Sequence, residues 1–193
     1  DRFGDAEDVG TVDSRAYIDS MDRSETKLFV NYYNLTNLDY NDIVIVPIKG
    51  PKSSALIGGK GSASSASVSP HGRWLAYQSD EGMRFEIYVR DLTGSGSRWQ
   101  VSTTGGEEPH WSADGKEIFY RNDSRLMSAA VKTSPEFGSS PPAVLFDNVY
   151  NLRTDTGVSY DIDVKTGRFL MVRPADPLRE TPSSVRVVVN WID

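Results

Sequence analysis

The sequence predicts an all-β chain made of repeats, a β-propeller of about four four-stranded blades, and three observations lead there. The first is an internal repeat. Ser69-Pro70-His71-Gly72-Arg73-Trp74-Leu75-Ala76-Tyr77 returns 43 residues later as Ser112-Ala113-Asp114-Gly115-Lys116-Glu117-Ile118-Phe119-Tyr120. Each copy reads as strand, tight turn, strand. The glycine at the tip supplies the backbone freedom of a tight turn, the basic residue after it stands in solvent, and an apolar-aromatic run opens a buried strand. The second is spacing: Glu25, Gly72, Gly115 and Thr166 hold equivalent places 47, 43 and 51 residues apart. Propeller blades run to about 40–50 residues, so the spacing fits one blade per repeat. The third is that no window of about 11 residues carries a sustained helical stripe. A β-sandwich with regular hairpins is the structural rival.

Taken in order, residues 1–14 are acidic and carry one short apolar trace, Val9 to Val12, which could serve as a closing strand. Ala16-Tyr17-Ile18 opens a strand, although Tyr17, Ile18 and Met21 also fit one turn of helix. Lys27-Leu28-Phe29-Val30 sits where later copies place Trp74-Leu75-Ala76-Tyr77, which makes it a degenerate first copy. Ile43 to Val46 and Ala55 to Ile57 complete the first blade, 15–57. The low-complexity run Gly58 to Ser65 reads as the crossing between repeats, in the place that Thr103 to Glu108 holds before the next copy. The second blade, 62–102, continues through Phe85 to Arg90, whose period of two puts Phe85, Ile87 and Val89 on one face, and ends at Trp99 to Ser102. The third, 108–146, has a hairpin at Asn122-Asp123-Ser124, a strand through Leu126 to Val131, a Pro- and Ser-rich loop to Pro142, and Ala143 to Phe146. The fourth, 158–193, starts near Tyr160, turns at Lys165-Thr166-Gly167 and runs through Phe169 to Val172. It ends on an alternating strand, Val185 to Trp191, with three strands in all. The ring is therefore either closed by the N-terminal strand or part of a larger one.

Composition narrows the function. A chain of 193 residues is long enough to bury a sizeable core without staples. It has no cysteine, which excludes disulfides and thiolate metal sites, and only two histidines. A net charge of −6 with no basic run argues against nucleic acid. No apolar run approaches the roughly 20 residues of a membrane span, so no membrane insertion is expected. The chain opens on Asp1 and not on methionine, and is read as processed or cut from a longer protein.

Catalytic patterns are few. Gly94-Ser95-Gly96 lacks the third glycine and the helix of a nucleotide loop and reads as a turn. Ser24-Glu25-Thr26-Lys27 matches the S-x-x-K spacing of penicillin-binding proteins, but its partner motifs are missing and it falls in the hairpin slot of copy one. The G-x-S-x-G of a hydrolase is also missing. Asp161 and Asp163 alternate along a strand and could flank a cation, although a solvated strand edge explains them as well. Asn34-Leu35-Thr36 and Asn122-Asp123-Ser124 are glycosylation sequons, incidental in a bacterial protein. His110 beside Trp111, at the start of an inner strand, reads as the polar neighbour of an anchoring tryptophan. A second reading puts Glu107, Glu108 and His110 at the ring entrance, where crossing loops converge and ligands dock. Equivalent positions would add Asp13, Ser65, Asp155 and Tyr160, with Asp161 close by. That rim is acidic and hydroxyl-rich, and would favour basic or polar partners. No metal or cofactor is expected.

Ser69 to Tyr77 and Ser112 to Tyr120 resemble the W-S-P-D-G-K-x-I-A-Y repeat of TolB-like, WD-repeat-like bacterial β-propellers. The run from Ser69 through Trp111, with Glu86 to Arg90 and Arg98 to Ser102, is most similar to the carboxyl-terminal propellers of bacterial kinase-like and TolB-related proteins. Arg168 to Pro174 and Val187 to Trp191 resemble that group's carboxyl terminus. The likeness is clear from residue 62 onward and fainter from 15. It departs at His71, where the repeat has aspartate, at Thr166-Gly167, where the glycine is shifted by one, and in copy one, which lacks that glycine. The resemblance implies a protein of the bacterial periplasm or exterior, with no catalytic role, that recognises a protein or peptide or acts as a scaffold. The alternative is a sensing or gating propeller attached to a kinase or peptidase domain outside this chain. It also implies six or more blades, so the missing ones come from the rest of the protein or from a second copy.

Overall fold

The computed structural model describes residues 16–33, 41–49, 55–57, 61–147, 158–163, 165–173 and 186–189. Among the described residues there is no helix, and the strands form four antiparallel sheets. The first sheet runs β1 (Ala16–Met21), β2 (Lys27–Tyr33), β3 (Asn41–Pro47), β4 (Ala55–Ile57). The second runs β5 (Ala63–Val68), β6 (Trp74–Ser79), β7 (Glu86–Asp91), β8 (Arg98–Gln100). In the third, β9 (Glu107–Trp111), β10 (Glu117–Asn122) and β11 (Arg125–Lys132) are followed by an outer edge in two pieces. These are β12 (Gly138–Ser139), paired at Val131 and Lys132, and β13 (Ala143–Asp147), paired from Arg125 to Ser128. The fourth runs β14 (Tyr160–Asp163), β15 (Arg168–Arg173), β16 (Arg186–Val189). Each sheet is a meander whose first strand packs against the sheet before it, the arrangement of successive propeller blades.

A blade held between two others buries both of its faces, so its second strand is a continuous apolar run and not an alternating one. Every residue of β6 is buried. Leu75 and Tyr77 face the first sheet, in one core with Phe29, Ile43 and Ala66. Trp74 and Ala76 face the third, in a core with Trp111, Ile118 and Tyr120. Phe119 and Leu126 join Tyr160, Phe169 and Met171 in a third core between blades three and four. In β15 burial alternates: Phe169 and Met171 are buried and Leu170 is 44% exposed, as expected of a sheet covered on one face.

Four first hairpins share one cap. Ser69 Oγ accepts from Trp74 N at 3.0 Å, and Ser112 Oγ accepts from Glu117 N at 3.0 Å. In copy one the cap is Asp22, whose Oδ1 accepts from Thr26 N and Lys27 N, both at 2.7 Å. Burial alone would raise the Asp22 carboxyl, but these bonds and those from the Ser24 and Thr26 hydroxyls draw it down to about 2. In blade four Asp163 plays the part, accepting from Lys165 N at 2.9 Å and the Thr166 hydroxyl at 2.6 Å. Gly72 and Gly115 turn at φ of 74° and 70°, and Glu25 takes the same conformation at 56°, so copy one keeps the turn without the glycine. In blade four Gly167, at 69°, takes that role one residue later.

Two expectations are corrected and one choice is settled. The crossing read over Gly58 to Ser65 is too long: Ala63 begins β5, and Ala63 and Ala66 are small because the first sheet packs directly on them. Of the two readings of Tyr17, Ile18 and Met21 the strand holds, since all three lie in β1, paired with β2. The Pro- and Ser-rich loop holds β12 and the buried Phe137, whose ring lies 5.4 Å from that of Trp74 and 5.6 Å from that of Trp99. Val9 to Val12, residues 34–40 and the end of the last strand lie outside the described residues.

Candidate functional site

The polar groups between blades come first, because they decide which side chains are free to act. Asn31, Gln78 and Arg121 are 47 and 43 residues apart, at one position of the second strand, and all three are buried. Each reaches the start of the next blade. Asn31 Nδ2 donates to Ala63 O at 3.5 Å. Gln78 Oε1 accepts from Glu108 N at 2.8 Å, while its Nε2 donates to Ser64 Oγ at 3.0 Å. Arg121 Nη1 donates to Ser159 Oγ at 2.6 Å. Sequence reading missed this column because three different side chains perform the one task; only their shared spacing marks them.

Innermost-strand carboxylates make a second set of fasteners. Asp19 Oδ2 accepts from Ala66 N at 2.9 Å. Burial pushes the Asp19 carboxyl up to about 6, against the lowering effect of N–H donors from Ala66 and Ser65. Glu108 Oε2 accepts from Ser159 N at 2.8 Å and from its hydroxyl at 2.6 Å, and its Oε1 lies 3.6 Å from Arg121 Nη1. Glu108 is 5% exposed, and the buried Tyr160 hydroxyl donates to its carbonyl at 2.8 Å.

The expected rim residues therefore separate. Glu107 stands exposed at the start of β9 and Asp161 is exposed on β14. Glu108 and Tyr160 are inner struts between blades three and four. Asp13 and Asp155 lie outside the described residues, and Ser65 sits in β5 at a positive φ of 54°, like Glu108 at 55°. The extra bulge residue at both places lets the strand bend around the neighbouring blade. His110 and Trp111 end the innermost strand where they were expected to begin it, so they belong to the hairpin-turn end and not to the crossing-loop end. The His110 ring lies 4.8 Å from that of Tyr160, and burial lowers its pKa. Its Nε2 is buried without a hydrogen-bond partner. Asp163 is spent on its turn and Asp161 Oδ1 accepts from Ile162 N at 2.7 Å. Among the described residues no three acidic or histidine side chains converge as a metal site.

At that hairpin-turn end a cleft of about 450 Å³ opens among three blades. Blade one contributes Met21 and Arg23. Blade two contributes the end of β5 and its turn, Ser67 to Pro70. Blade three contributes His110 to Ala113. The volume lies within the about 300–1,000 Å³ of small-ligand sites. Trp111 crosses the gap to donate its indole N–H to Ser67 O at 3.1 Å, which locks blades two and three beneath the cleft. Met21, Val68, Pro70, Trp111 and Ala113 give the cleft apolar lining, and Arg23, Ser67, Ser69, His110 and Ser112 add polar groups.

Antiparallel meanders set one after another, each fastened to the next at its inner strand, define a β-propeller. Solved structures agree. TolB from Acinetobacter baumannii superposes with a TM-score of 0.65 at 13% identity over 94% of this chain and 42% of that one. A putative TolB from Agrobacterium tumefaciens gives 0.62 at 15% identity, over 86% of this chain and 58% of that one. A puromycin-hydrolyzing peptidase of Mycobacterium tuberculosis gives 0.62 at 16%, over 88% of this chain and 28% of that one. The structural neighbours are thus TolB and related propellers, and the chain spans between 28% and 58% of the length of these three. No family model matches the sequence, and no curated protein matches it. One neighbour is a peptidase, so the fold by itself leaves catalysis open. No helix among the described residues is long and apolar enough to cross a membrane.

Proposed function

We propose that the chain is a noncatalytic recognition module, a TolB-like propeller that holds a segment of a partner protein in the cleft at its hairpin-turn end. The observation that carries this reading is the cleft itself: turns from three blades converge on one preformed hollow beside Met21, which is 45% exposed. Preformed, largely apolar hollows with few polar groups are where segments of other molecules bind. The buried carboxylates that might have served chemistry, Asp19 and Glu108, are occupied in joining blades. By resemblance to TolB we place the protein outside the bacterial cytoplasm. Phage-displayed random dodecapeptides, selected on the protein and re-measured on Ala113→Trp, test the reading. Selected peptides should lose at least tenfold in affinity when the indole fills the cleft. Failure to select any peptide, or equal binding to both proteins, would overturn it.

A second reading has one observation in its favour. The peptidase neighbour is matched over 28% of its length, which suits a gating propeller beside a peptidase or kinase domain. The full gene sequence decides between them. Leu170 holds the place that Phe119 fills in blade three, where it packs against blade four, yet Leu170 is 44% exposed. We take that face as the seat of a further blade, from the rest of the protein or from a second copy, and light scattering on the purified chain separates the two.

A further inference from the structure

We propose that the segment bound in this cleft carries a carboxylate, set beside aliphatic or proline side chains, and that Arg23 is the group that reads it. The inference rests on the reading of the cleft as the recognition site and adds the chemistry of what it takes. The chain carries a net charge of −6, yet none of the described residues that line the cleft is acidic and one, Arg23, is a cation. Arg23 also differs from five of the other arginines. Arg73, Arg84, Arg98, Arg121 and Arg125 each lie within 3.6 Å of a carboxylate. Arg23 is exposed and has no ion pair among the described residues.

Two hydroxyls at the opening serve their own turns. Ser69 Oγ accepts from Trp74 N, and Ser112 Oγ donates to Asp114 Oδ1 at 2.8 Å while accepting from the backbone of its own turn. The guanidinium is the charged donor among the described lining residues, beside the Ser67 and Ser69 hydroxyls and the buried Nε2 of His110. A planar fork of N–H donors matches a carboxylate in charge and shape. Around it Met21, Val68, Pro70 and Ala113 offer apolar contact. The crossing-loop end, where Glu107 is exposed, has the opposite character.

Peptides selected on the wild-type protein supply the probe. Each is synthesised with its Asp and Glu changed to Asn and Gln, and separately with a C-terminal amide for the acid, so that side-chain and terminal carboxylates are told apart. One of these changes should weaken binding by about three- to tenfold, as for a solvent-accessible ion pair. Arg23→Gln should weaken the parent peptide by the same factor and leave the neutral peptide unaffected. Added salt should reduce the parent's affinity for wild type more than for the variant. Thermal unfolding of Arg23→Gln should match wild type, since Arg23 is exposed and makes no ion pair among the described residues. Peptides that bind in the cleft with no loss on neutralisation, or that prefer Lys and Arg, would overturn this inference while leaving the recognition reading intact. Absence of any cleft-dependent peptide would instead sink the recognition reading.

Discussion

Gln78→Met is the sharpest perturbation of the blade-to-blade fastening. Methionine matches glutamine in length and keeps the site filled, so no large cavity confuses the result. What disappears is the acceptor for Glu108 N at 2.8 Å and the donor to Ser64 Oγ at 3.0 Å. Gln78 is only 8% exposed, so water does not readily replace either bond. A buried N–H left unpaired costs about 1–3 kcal/mol, set against a small apolar gain from the thioether. With a urea m-value of about 2 kcal/mol/M, the midpoint should fall by about 0.5–1.5 M at unchanged m. Equilibrium urea unfolding followed by tryptophan fluorescence reads this directly, because Trp74 and Trp111 lie in the core between blades two and three. A midpoint within error of wild type would refute the reasoning that this position carries the joint.

Four further outcomes follow from the same structure. Phe137→Ala should destabilise by about 3–5 kcal/mol, far more than any change in an ordinary surface loop, because the ring plugs the core of Trp74, Trp99 and Trp111; thermal unfolding measures it. Glu25→Gly should leave stability unchanged or raise it by up to about 1 kcal/mol, since a side chain at φ 56° costs about 1–2 kcal/mol and glycine returns part of that as chain entropy. Gly115→Ala, at φ 70°, should cost about 1–2 kcal/mol in the same assay. Two carboxylates should move stability in opposite directions with pH. Asp19, raised from 3.8 to about 6, favours the folded state when protonated, so its contribution is full below pH 3.8 and is lost as pH rises through about 6. Asp22, lowered from 3.8 to about 2, contributes above pH 3.8 and loses that contribution as pH falls through about 2. Urea midpoints of Asp19→Asn and Asp22→Asn between pH 2 and pH 7 should each lack the corresponding slope.

The parts of the fold legible in the sequence are those where one residue type answers one local demand. Gly72 and Gly115 mark positive φ, Ser69 and Ser112 mark a cap, and the runs Trp74 to Tyr77 and Ile118 to Tyr120 mark strands covered on both faces. The parts that were not legible answer demands set by a neighbouring blade. Ala63-Ser64-Ser65 looks like a linker because the strand must be thin where the first sheet lies on it. Asn31, Gln78 and Arg121 share a spacing but no chemistry, since each meets a different partner group. Glu108 looks like a rim carboxylate until Ser159 and Arg121, 51 and 13 positions away, are brought beside it. His110 was placed at the wrong end of its strand because the strand begins at Glu107, inside what reads as a polar crossing. The cleft could not be seen at all, for its walls come from three repeats.

Residue-resolved hydrogen exchange tests the account most directly. The amides of Ala66, Glu108 and Ser159 lie on or beside three successive innermost strands, and each donates to a side chain of the blade before it. Successive blades locked in this way predict that all three exchange only with global unfolding, as slowly as the amides at the centre of β6 and β10. Exchange of these three at the rate of exposed turn amides, with β6 and β10 still protected, would show that the four sheets fold without the joints described and would contradict the account.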